Sequence, residues 1–157
     1  MTEPNLALNP LNSRSFWIIL LINALWINVS EVFRYFAFVM PMLRRSFPEI
    51  ENIAPMDFAV FALWGLWDTI LVVAVTGFVW IFLERFGRSL QNTVIAGTLV
   101  WLGIFGILWI GMFNMNLATL EILAVALPLS WLELVIAGLI VHFGMVRFAR
   151  PSSPAAT

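Results

Sequence analysis

The stretch Asp57–Leu83 reads DFAVFALWGLWDTILVVAVTGFVWIFL. Behind its first residue it holds a single ionisable side chain, Asp68. Roughly 20 apolar residues in a helix cross the ~30 Å hydrocarbon core of a bilayer, so this segment is long enough to span one with some tilt. Three more segments have the same character: 16–42, 90–113 and 117–146. The sequence therefore predicts an all-α integral membrane protein, a four-transmembrane-helix antiparallel bundle.

Composition agrees. The chain has 157 residues, 62% of them apolar and only 11% charged, with net charge −1. Its mean hydropathy is +0.96. Soluble domains average about 45–50% apolar and about 25% charged, so this chain cannot cover itself with polar surface in water. The bilayer is its first expected partner, and a near-neutral charge offers nothing for nucleic acid. There is no cysteine, which excludes disulfides, thiolate metal sites and a cysteine nucleophile. His142 is the one histidine, so a bis-histidine haem within the chain is excluded. Every basic residue is arginine, so a lysine Schiff base is excluded as well.

The first span is too long for a signal-peptide h-region of about 7–15 residues, and it reads as a retained helix. A polar arm, 1–15, precedes it. Arg85-Phe86-Gly87-Arg88-Ser89 reads as a tight turn, with Gly87 closing one helix and Ser89 capping the next. Ser46-Phe47-Pro48-Glu49 has the form of a capping box, and the loop after it is read either as a short interfacial helix over 47–54 or as a plain loop. The Pro-rich tail, 148–157, is expected to be disordered. Arg14, Arg85, Arg88, Arg147 and Arg150 gather at one end and Arg44 and Arg45 at the other. The positive-inside rule then predicts both termini in the cytoplasm, in a plasma or inner membrane.

At a helical rise of 1.5 Å per residue, Glu31, Asp68 and Glu133 fall within about 3 Å of the midplane of their spans. Arg34 lies about one turn beyond Glu31. Asn23, Asn28, Glu31, Arg34 and Tyr35 share an arc of about 140° on the first helix. A charge at the bilayer centre costs about 2.5–3.5 kcal/mol or more, so these groups are expected to face one another or water. Glu31 and Arg34 are spaced to pair. Asp68 or Glu133 is then left over, and a low dielectric favours its neutral, protonated form. Structural glue between helices is the bland alternative for the same residues. Pro128 is expected to free the Ala124 carbonyl beside this layer.

Trp26, Trp64, Trp67, Trp101 and Trp131 lie deeper, and Trp64, Trp67 and Trp131 among them are candidates to shape a pocket, by cation–π contact or by bounding a flat apolar ligand, with plain packing or lipid contact as the bland alternative. Trp17, Trp80 and Trp109, nearer the span ends, fit an interfacial belt. The third span has no ionisable residue but carries Gly97, Gly103, Gly106 and Gly111, and it reads as a helix for close packing or oligomer contact. No metal site and no cofactor is called for.

Three functions fit these features. The first is proton- or cation-linked transport of a small solute through a site built from Asn28, Glu31, Arg34, Asp68, Glu133, Trp64, Trp67 and Trp131. The second is a cofactor-free intramembrane enzyme, an isomerase or cyclase on a lipophilic substrate, with Asp68, Glu133 and Glu31 as its acids and bases. The third is an accessory subunit of a larger membrane complex. A homo-oligomer or a partner membrane subunit is expected, because four helices leave little room for a pathway.

Overall fold

In the computed structural model, residues 13–51, 53 and 57–148 are described, and all of the regular structure among them is helical. The expected N-terminal arm, apart from its last residues, and the C-terminal tail beyond Phe148 lie outside the described residues. Four helices are long and apolar enough to cross a membrane: α1 (Arg14–Ser46), α2 (Phe58–Phe86), α3 (Leu90–Asn114) and α4 (Leu120–Phe148). In the loop after α1, residues 48–51 form turns and a bend, so the interfacial helix considered for 47–54 is absent from its described residues.

Local chemistry sets the helix ends. The Asp57 carboxylate accepts from the Val60 N–H at 2.9 Å and starts α2. Gly87, at φ 99°, ends α2 in a backbone region that favours glycine. The Ser89 hydroxyl then accepts from the Asn92 N–H at 3.1 Å and starts α3. The tight turn at Gly87 and Ser89 thus forms as the sequence predicts.

Successive helices run antiparallel. Asn23 of α1 meets Thr76 of α2 and Ala137 of α4, whereas Tyr35 further along α1 meets Trp64, earlier in α2. Thr93 lies against Gly138, Gly97 against Leu134, and Trp101 against Leu127 and Ser130. α4 packs on all three other helices. Small residues permit this: a Cβ on Gly97 would come within 3.1 Å of the Leu134 carbonyl oxygen.

Two helices widen at mid-length. In α1, Tyr35–Val39 is a π-turn in which the Met40 N–H donates to the Tyr35 carbonyl. Pro41 follows one residue later; it has no N–H to give and its ring crowds the preceding turn, which the wider turn accommodates. In α3, Leu102–Gly106 is a second π-turn, closed by the Ile107 N–H on the Leu102 carbonyl. Such single wide turns are frequent at functional sites, and both lie next to the charged cluster.

The core is uneven. In the half that holds the described chain ends, Ile19, Val75, Val79, Leu83, Val141 and Met145 are fully buried. In the half that holds the α1–α2 loop, every residue of α2 from Phe61 to Trp67 is exposed. Trp80 and Trp109 are buried rather than set in an exposed belt, and only Trp17 of that trio is exposed.

Candidate functional site

Arg34 is the centre of the site. It is 5% exposed, deep among apolar helices. On a helix, side chains lean toward the N-terminus, so Arg34 leans down α1 while Glu133, on the oppositely directed α4, leans up to meet it. Arg34 pairs with Glu31, one turn away on its own helix. Its Nε lies 3.7 Å from Glu133 Oε2. That separation is an ion-pair contact and too long for a hydrogen bond. The guanidinium lies over the ring of Phe105, 4.8 Å from its centre, a cation–π arrangement. The π-turn of α3 carries Phe105, which is buried beside Arg34.

Glu31 and Glu133 stand close enough to interact directly, and both share the charge of Arg34. Glu133 is 3% exposed, and neither of its carboxyl oxygens receives a hydrogen bond from the described residues. The neighbouring Ser30 gives its hydroxyl to the Ile27 carbonyl at 3.1 Å. Asp68 is buried on α2, in register with Glu31 and within electrostatic reach of Arg34, Glu31 and Glu133. It makes no ion pair among the described residues. The cluster therefore draws on all four helices: Glu31 and Arg34 from α1, Asp68 from α2, Phe105 from α3 and Glu133 from α4. No group of three acids or histidines among the described residues has the geometry to hold a metal ion.

Backbone contacts hold the cluster in place. The Trp26 indole donates to the Glu133 carbonyl at 3.0 Å, locking α1 to α4 at this level. One turn further, toward the chain ends, the Asn23 amide donates to Thr76 Oγ1 at 3.1 Å and to the Ala137 carbonyl at 3.3 Å. Asn23 Oδ1 and His142 Nδ1 are buried without a partner among the described residues.

The other sequence candidates lie elsewhere. Asn28 is exposed and turns its amide back to the Ala24 carbonyl of its own helix at 2.8 Å. It sits at the edge of the predicted polar arc, and the bundle interior begins beyond that edge. Trp64 and Trp67 are on the exposed part of α2, and Trp64 is the nearer to α1, its ring 6.1 Å from that of Tyr35. Trp131 is exposed and donates to Thr98 Oγ1 at 3.0 Å. None of the three Trp encloses the acids. Pro128 and Ala124 are exposed, so the carbonyl freed by Pro128 belongs to the outer face of α4 rather than to the charged layer. Asn23 belongs to the polar arc read from the sequence and Trp26 to its deep tryptophans, whereas Phe105 and Thr76 were not singled out by sequence as parts of the site. The polar pair Asn23–Thr76 had a signal in the hydrophilic stripe of α1, whereas Phe105 is one aromatic residue among many.

Compared with protein-family models, curated proteins and solved structures, the chain matches none.

Proposed function

We propose that the protein spans a membrane and moves protons through Glu133, in step with a small solute. The observation that carries this reading is the environment of Glu133. A carboxylate this buried needs hydrogen-bond donors or a counter-ion of its own. Glu133 has only a share in Arg34, which Glu31 already engages at closer range. Two acids and one arginine cannot all be charged and balanced, so a proton bound between Glu31 and Glu133 neutralises the trio. Mid-membrane acids of this kind serve as proton relays.

Asp68 gives the trio a neighbouring acid on α2. Asp68 is thus a second protonatable group beside Glu133, through which a proton can pass to it. Toward the described chain ends the site is closed by buried Ile27 and by the Asn23–Thr76 pair. The two π-turns supply backbone that can change register beside Arg34 and Phe105 without breaking a helix.

The test uses proteoliposomes with a pH-sensitive dye inside and the small-molecule fraction of a cell lysate outside. The wild-type protein discharges an imposed pH gradient faster than empty vesicles, and Glu133→Gln does not, while both elute as the same folded species. Equal discharge by wild type and Glu133→Gln would sink the proposal.

A further inference from the structure

α1 is the least covered of the four helices: 17% of its apolar stretch is buried, against 44% for α4. Most of its exposed face is apolar and suits lipid. Asn28 does not suit lipid. It sits near the middle of α1 on that exposed face. One amide N–H goes to the Ala24 carbonyl at 2.8 Å. The second N–H finds no acceptor and the carbonyl oxygen no donor among the described residues, and an amide has the capacity for more. With the bundle spanning a bilayer, those groups would face hydrocarbon, where unmet polar groups cost several kcal/mol in apolar solvent scales.

The residues around Asn28 define a seam. Leu21, Leu25, Asn28 and Val32 follow the 4–3–4 spacing of a heptad stripe, and at 100° per residue they fall within about 60° of one another. Leu21 is 68% exposed, Leu25 70% and Val32 51%. The seam holds no ionisable residue, so two such faces approach without charge repulsion. It lies on the side of α1 roughly opposite Arg34. Thr69, also exposed near this depth, differs because its hydroxyl is satisfied by the Gly65 carbonyl at 2.7 Å.

The geometry points to a second copy of this chain as the occupant, with α1 pairing against α1 about a two-fold axis normal to the membrane. Two copies inserted in the same direction can form such an isologous contact, in which each residue meets its own counterpart. An asparagine is complementary to itself: each Asn28 gives its free N–H to the other's carbonyl oxygen. A single buried asparagine in an apolar seam is also a known device for fixing register and partner number.

Since the chain has no cysteine, single-cysteine variants report cleanly. Leu21→Cys, Leu25→Cys, Asn28→Cys and Val32→Cys probe the seam. Ile22→Cys, Val29→Cys and Phe33→Cys probe exposed neighbours outside it. In membranes treated with a mild oxidant, the seam variants cross-link to twice the chain mass and the off-seam variants do not. In dilution series in lipid, Asn28→Leu, which keeps the surface apolar and the helix intact, weakens the dimer about tenfold, the effect of losing two hydrogen bonds between membrane helices. Three results would overturn the proposal: equal cross-linking off the seam, none on it, or cross-links to a polypeptide of different mass. The seam leaves the Arg34 cluster untouched, so Asn28→Leu should retain the Glu133-dependent proton movement, and the two proposals fail separately.

Discussion

Leu83 and Leu63 lie on the same helix, yet Leu83 is fully buried and Leu63 is 68% exposed. The contrast extends to the two halves of the bundle. Toward the described chain ends, α2 offers Val72, Val75, Thr76 and Val79 to its neighbours, and Gly138 and Gly97 bring α4 and α3 close. Toward the α1–α2 loop, α2 carries Phe58, Phe61, Trp64 and Trp67, bulky side chains that stay exposed. In lipid there is little hydrophobic force between helices, and close approach by small residues decides what packs. One half is accordingly a fitted core and the other a loose, lipid-compatible one. The charged cluster sits at their boundary, where one side is sealed and the other is open to change.

The largest expected effect tests that boundary. Arg34→Met leaves Glu31 and Glu133 without their counter-ion and should destabilise the fold by about 3–5 kcal/mol, read as a lowered melting temperature in detergent. Adding Glu133→Met to it should return part of that loss. Next comes the paired test of the two halves. Leu83→Ala should cost about 2–5 kcal/mol, while Leu63→Ala should stay within about 0.5 kcal/mol of wild type. Comparable losses at both positions would erase the distinction between the halves. Gly97→Ala, forced against the Leu134 carbonyl, should cost about 1–3 kcal/mol through overpacking, seen as a lower midpoint in denaturant titration. Asn23→Leu removes the hydrogen bonds to Thr76 and Ala137 and should cost only about 0.6–1.7 kcal/mol. A much larger loss there would mean that the polar pair, rather than apolar packing, holds the sealed half together.

Hydropathy made the four helices legible, because a long apolar helix leaves a one-dimensional signature. Glu31, Arg34, Asp68 and Glu133 were also legible, since a charge in an apolar span is conspicuous and helical rise converts position into depth. That Arg34 lies between Glu31 and Glu133 was not legible, because spacing along each helix does not encode how helices are rotated against one another. For the same reason Asn28, within the polar arc by angle, turned out to lie on the outer face. The deep tryptophans divide in a similar way: Trp26 and Trp101 bond to α4, whereas Trp64, Trp67 and Trp131 are exposed. The π-turns left little trace. Pro41 and the paired Gly103 and Gly106 are compatible with a wide turn but are common in membrane helices without one.

The most direct test of the proton-sharing cluster is infrared difference spectroscopy of the protein in lipid, comparing wild type with Glu133→Gln. Proton sharing between Glu31 and Glu133 predicts a carboxylic-acid C=O band in the wild type that shifts in deuterated water and is lost in Glu133→Gln, any band of Asp68 being common to both spectra. A wild-type spectrum with no such band, every carboxyl group being ionised, would contradict it.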